Sequence, residues 1–207
     1  MRRITRRRDY RGLFDGREAA ALAQALDTRK LEIQLSWERT KYFATLIGAS
    51  VAVYGVVLSA KRFDGQDFML SLLACVGLVL SVAWYLVNRG SKYWQENWER
   101  HVDLLEDHIQ GPLHKTVLAE DHYSVSGVNL WVSRYVSIIW TGLIVKEWPA
   151  RFPPEDVESH LFWALMIVTA AVLVLMTTEW GARWEPRPAP DFDTPDARIV
   201  KPRATSR

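Results

Sequence analysis

Four of the side chains best able to do chemistry, His101, Asp103, Glu106 and His108, fall in one short stretch. Imidazole and carboxylate together are the usual means of holding a divalent metal or moving a proton. On a helix His101 and His108 share a face, but neither has a carboxylate three or four residues away pointing with it. A metal site is therefore not expected, and His101 reads as a hydrogen-bonded interface residue. There is no P-loop, dinucleotide-binding glycine pattern, CxxC, HExxH or GxSxG. The expectation is no catalytic residue, no metal and no cofactor. The single Cys75 lies in an apolar run, where a free cysteine is a small buried hydrophobe. Arg134 is the most pointed polar residue, set with Asn129 in the otherwise apolar segment 125–145. An intramembrane arginine marks a functional site by default. The structural alternative is a residue that snorkels or pairs near the inner interface.

The elements that position these residues are helical, and several are apolar enough for a membrane. The 207 residues carry 26 basic and 24 acidic side chains, and 49% are hydrophobic. A mean hydropathy of -0.08 conceals apolar blocks separated from charged ends. Ten tryptophans are many for this length, and several lie near the ends of apolar runs, as interfacial residues do. No secretory signal peptide is expected, since the first apolar run starts only at Tyr42.

Residues 42–60 and 68–87 each approach the ~20 residues that span hydrocarbon. A short polar turn with Lys61, Arg62, Asp64 and Gly65 makes them an antiparallel hairpin. Ala44, Gly48 and Ala52, then Gly55 and Ser59, repeat small residues that let helices approach closely in lipid. Residues 125–145 are expected to form a third span despite Arg134, the alternative being a surface helix to about Tyr135. Residues 160–178 are the fourth.

Both hairpin spans continue into charged, amphipathic helix. Residues 16–26 read as a short helix, with Asp27 or Thr28 capping a second one that runs from Arg29 into the first span. After the second span, Trp84 and Tyr85 sit where an interfacial belt belongs, with Arg89 and Lys92 as the anchor. Beyond them Trp94, Trp98, His101, Val102, Leu105 and Ile109 form a stripe at helical spacing. Gly111-Pro112 stops the helix. Across this layer Glu32 and Glu38 could pair with Arg100 or Lys92.

The expected fold is all-α: a four-span membrane bundle whose first two long helices extend into a cytoplasmic helical layer. Its parts are a basic tail (1–15), cytoplasmic helices (16–41), a transmembrane hairpin (42–88), a cytoplasmic helix and connector (89–124), two further spans (125–178) and a Pro-rich tail (179–207). Four of the 26 Lys and Arg, Lys61, Arg62, Lys146 and Arg151, lie in the two short loops. Setting Arg134 aside, the other 21 lie on the opposite face, which puts both termini in the cytoplasm. The N-terminal arginines suit anionic membrane lipids better than nucleic acid, because no aromatic side chains interleave for base stacking.

The strings Leu31-Glu-Ile-Gln-Leu-Ser-Trp37-Glu-Arg-Thr-Lys-Tyr42-Phe43, Val87-Asn-Arg-Gly-Ser-Lys92, Trp94-Gln-Glu-Asn-Trp98-Glu-Arg-His-Val-Asp-Leu-Leu-Glu106-Asp and Gly111-Pro-Leu-His-Lys115 resemble the RipA family of octameric bacterial membrane proteins. The resemblance covers roughly residues 25–145. It implies a bacterial inner-membrane protein assembled as a homo-octamer with a cytoplasmic portion, and it implies no reaction.

The function expected is structural: a homo-oligomeric scaffold that encloses a pore or lipid, without catalysis. The interface is expected at Leu31, Leu35, Trp37, Trp94, Trp98, His101, Val102 and Leu105, the first three packing against the stripe within and between subunits. Water drives association there, so Trp98→Ala should weaken the oligomer more than Gly48→Ala or Gly77→Ala. The alternative is a membrane-bound enzyme or a sensor/effector using the 94–122 segment.

Overall fold

The computed structural model describes residues 10–116, 124–147 and 157–182. The arginine run at 2–8, His122, the 148–156 loop and the Pro-rich tail with Trp184 lie outside these residues. The described chain is all-α. Its long helices are α1 (Glu18–Ser59), α2 (Gln66–Leu105), α3 (Val125–Glu147) and α4 (Val157–Ala182). Short 3-10 turns stand at Gly12–Phe14 and Glu106–His108. All four long helices contain a segment long and apolar enough to cross a membrane.

α1 has 42 residues and α2 has 40. At ~1.5 Å per residue each is about 60 Å long, twice the ~30 Å hydrocarbon core of a bilayer. About half of each helix therefore has to lie outside hydrocarbon. Nothing breaks α1 at Asp27 or Thr28, contrary to the expected cap. The Thr28 hydroxyl instead donates to the Gln24 carbonyl at 2.8 Å, a bond made inside a continuing helix. The alanine-rich start and the charged segment are both good helix formers, so they merge.

The 61–65 turn closes the α1–α2 hairpin. Gly65 takes φ +79°, a conformation glycine adopts without strain. Gln66 Nε2 donates to the Val57 carbonyl at 2.7 Å, and Arg62 pairs with Asp67 at 2.7 Å.

α2 buries one stripe with coiled-coil spacing: Leu70, Ala74, Gly77, Ser81, Trp84, Asn88, Ser91, then Val102 and Leu105. Half-buried Gln95 and Trp98 fill the intervening positions of the same three-four repeat. Trp84 is therefore a core residue and not part of an interfacial belt. Its place in the repeat turns it inward. Asn88 at such a position favours one register, because a shifted partner would leave its amide in apolar surroundings.

The described residues divide into two compact units. One takes the described parts of Met1–Leu35 and Ser91–Ser124, the other Ser36–Gly90 and the described parts of Val125–Glu185. In the first, Leu22 and Ala25 of α1 meet Val102 and Leu105 of α2 under Tyr10, with Phe14, Leu26 and Trp98 at the margin. The basic stretch thus ends in packed structure by Tyr10. Arg29 of α1 pairs with Glu99 of α2 at 3.6 Å. Of the acids and bases expected to pair across helices, Glu38 meets Lys41 at 2.7 Å and Lys92 meets Glu96 at 3.8 Å, each on its own helix.

In the second unit, Tyr54, Leu70, Ala74, Cys75, Trp140 and Ile144 form the core, with Leu165 and Met166 of α4 against it. α2 is the central helix: 39% of its apolar window is buried, against 11% to 17% in the others. Cys75 is buried, with its thiol 3.9 Å from the Met166 sulfur, as a small hydrophobe should be. Gly77 is needed because the buried Trp140 indole lies where its Cβ would be.

Candidate functional site

Three clusters gather the polar and aromatic side chains with chemical capacity. The first belongs to the unit built on Tyr10, Leu22 and Val102. The Tyr10 hydroxyl lies 2.5 Å from His101 Nδ1. The Trp98 ring lies against the same imidazole, with centroids 5.1 Å apart. Burial pushes the Tyr10 hydroxyl up to about 12 and pulls His101 below its ordinary 6.5. At neutral pH the tyrosine is thus protonated and the imidazole neutral. Tyr10 O–H donates to Nδ1, which assigns the ring proton to Nε2. His101 is hydrogen-bonded, but its partner is in its own chain.

The second cluster ends α2. The helix stops at Leu105, short of Ile109, and tightens into the Glu106–His108 turn. The Glu106 carbonyl accepts from the backbone N–H groups of Ile109, Gln110 and Gly111. Gly111, at φ +74°, makes the reversal that its place before proline predicts. The chain then folds back on the fully buried Glu106 carboxylate. Oε2 accepts the backbone N–H of His114 at 3.0 Å and its Nδ1–H at 2.8 Å. The buried Lys115 ammonium donates to Asp107. Two strings recognised separately in the sequence, Glu106-Asp and Gly111-Pro-Leu-His-Lys115, are therefore one structure. Glu106 Oε1 has no hydrogen-bond partner among the described residues.

The dyad leaves His114 Nε2 free of the carboxylate, the arrangement that orients a general base. Among the described residues no group of three or more His, Cys, Asp or Glu could hold a metal. His108 is exposed. His114 was missed by sequence reasoning. Its signal was position alone, eight residues after Glu106 and beyond a Gly-Pro turn.

The third cluster lies on α2 and α3. Arg134 donates to the Tyr85 hydroxyl at 3.1 Å. Its guanidinium stands over the rings of Tyr85 and Trp131, 5.0 and 5.1 Å from their centroids. The charge expected inside an apolar span is thus level with the end of α2's apolar run. Asn129, two residues before Trp131, is half-buried.

The expected interface residues separate into three groups. Val102 and Leu105 are 1% and 3% exposed, covered by the chain's own Tyr10, Leu22 and Ala25. They offer no surface to another subunit. Trp94, Trp98 and His101 are half-buried. Leu31, Leu35 and Trp37 do not cover the stripe and stand 51%, 37% and 49% exposed. The cover comes from two turns earlier in α1, a placement that spacing on one helix does not reveal.

The hydroxyls of the apolar segments are spent locally. Thr45, Ser50, Ser59, Ser71, Ser81, Ser137 and Thr141 each donate to the carbonyl four residues back in their own helix.

A family model described as the octameric membrane protein family (8xMP) matches residues 19–149. The chain belongs to this family. The matched span contains α1, α2, α3 and all three clusters except Tyr10. α4 lies beyond it. Searches among curated proteins and among solved structures returned no match. Membership identifies a membrane protein of an octameric family. It carries no reaction with it.

Proposed function

We propose that the chain is a homo-octameric scaffold of the RipA type in the bacterial inner membrane, without catalytic activity. Both termini and the Trp94–Lys115 region face the cytoplasm. Subunits associate chiefly through the layer outside the bilayer, and the spans enclose lipid and no conducting pore. The observation carrying this reading is the exposure of Leu31 and Leu35 on one face of α1 and of Trp37 on another, all on the part of the helix that precedes its apolar segment. Large apolar side chains in water need a cover, and a second copy is the cover that an octameric family supplies. Lipid provides no comparable drive between spans. The locally bonded hydroxyls support the absence of a hydrated pore.

Native mass spectrometry of the purified membrane protein tests the reading. Trp37→Ala should release smaller species while Gly48→Ala stays octameric. Gly48 has open space around it, so its alanine variant probes contacts between spans without disturbing the subunit. Trp98→Ala, the variant that sequence alone suggests, also removes intrasubunit packing and reads both effects at once. An intact Trp37→Ala octamer beside a dissociated Gly48→Ala would refute the reading.

A second reading, a membrane-bound enzyme or sensor using the 94–122 segment, rests on the Glu106–His114 dyad. It predicts that His114→Ala leaves the octamer whole and abolishes function in the cell.

A further inference from the structure

Arg134 is held in an unusual way for a charge in an apolar helix. Its guanidinium lies over the faces of Tyr85 and Trp131, and one N–H is used on the Tyr85 hydroxyl. A guanidinium has five N–H donors, so most of its donor edge is left for another acceptor. Arg89 is one turn beyond Tyr85 on α2. Both arginines are exposed. Neither has a carboxylate within ion-pair distance among the described residues. One guanidinium group thus sits on the Tyr85 hydroxyl and a second stands one helical turn away, and no carboxylate among the described residues balances either.

The surroundings identify the missing anion. Trp131 and Tyr135 flank Arg134 on α3 and are 69% and 65% exposed. Large aromatic side chains with a polar edge, exposed at the end of an apolar segment, mark the headgroup level of a bilayer. The anion that stands at that level is a lipid phosphate. Arginine holds phosphate through paired N–H donors, and its ring stacking fixes the plane in which they point. We infer that Arg134, Arg89 and Tyr85 form a binding site for the phosphate of an anionic phospholipid, with Trp131 and Tyr135 against its glycerol and acyl portion.

The test uses the full-length protein in native mass spectrometry, titrated with phosphatidylglycerol, with phosphatidylcholine and with inorganic phosphate. Wild type should retain phosphatidylglycerol over phosphatidylcholine. Arg134→Gln should bind phosphatidylglycerol about tenfold more weakly, since a charge-assisted hydrogen bond is lost. Arg134→Lys keeps the charge but not the paired donors and should fall between the two. The same spectra show the subunit count, which should not change. Equal lipid retention by wild type and Arg134→Gln overturns the inference. Displacement of the lipid by inorganic phosphate also overturns it and makes the ligand free phosphate. Release of subunits by Arg134→Gln overturns it as well, and assigns the arginine to an ion pair with a second copy.

Discussion

Replacing Gly77 with alanine should unsettle the membrane-embedded core although only one methyl group is added. A Cβ at Gly77 would stand 2.5 and 2.6 Å from Cδ2 and Cζ2 of the Trp140 ring, with Cε2 closer still. Ordinary contact begins near 3.4 Å, so about 1 Å has to be found. The ring cannot easily supply it. Trp140 is 2% exposed and lies edge-on to Tyr54, with centroids 5.9 Å apart and planes at 79°. Overpacking of this kind costs about 1–3 kcal/mol, a factor of ~5 to ~150 in an equilibrium constant. The assay is thermal unfolding in a fixed detergent, followed by near-ultraviolet circular dichroism. Gly77→Ala should melt lower than wild type, and Gly48→Ala, with open space around it, should not. Trp140→Phe removes the crowded part of the indole and leaves a cavity. Combined with Gly77→Ala, it should destabilise less than the two separate losses added together. Strict additivity, or an unchanged melting curve for Gly77→Ala, would refute the packing argument.

Three further outcomes follow from the clusters outside the apolar segments. His101 has a lowered affinity for protons in the fold, so the unfolded chain binds more protons below its ordinary 6.5. Stability from this group is present above that pH and falls as pH drops toward the folded value. Hydrogen-exchange protection factors over residues 98–105, corrected for the intrinsic pH dependence of exchange, should therefore fall on acidification, with a smaller pH response in His101→Gln. Tyr10→Phe leaves Nδ1 without its donor and should cost about 1 kcal/mol in the same protection at pH 7.5. Glu106→Gln removes the charge that receives both His114 N–H groups, a loss of about 1.5–3 kcal/mol. Limited proteolysis should then cut within residues 109–116 faster, whereas the exposed His108→Ala should leave the rate unchanged. For topology, reporter fusions after Gly65 and Pro154 should register as periplasmic, and fusions after Gly111 and Arg207 as cytoplasmic. A cytoplasmic signal after Pro154 would remove the third span.

The helices were legible because hydropathy and periodicity carry over long distances. Four apolar segments, a tight turn at Gly65 and a stop at Gly111 all left local marks. Contacts between helices left fewer. Nothing in the spacing of Trp94 to Leu105 says whether Leu22 or Leu31 covers it, since both stand on α1. Trp84 shows the same ambiguity: a tryptophan at the end of an apolar run reads as interfacial, yet the repeat from Leu70 to Leu105 turns it inward. Tyr10 was hidden among arginines, and charge density outweighed one aromatic ring. Gly77 looked like one more small residue in a helix, because its reason lies on α3. Arg134 was visible as an anomaly, but its level came only from the Tyr85 contact.

Placing Arg134 beside Tyr85 also limits how much of α3 can lie in oil. Between Arg134 and Lys146 the helix advances twelve residues, about 18 Å, against the ~30 Å of an average hydrocarbon core. Even with both side chains stretched toward their nearest water, an inserted α3 is a short strut in a thick sheet. The lipid beside it has to compress, while α2 and α4 next to it accept the full thickness. Wherever α3 meets lipid, that mismatch carries an elastic cost of about a fraction of a kcal/mol per ångström.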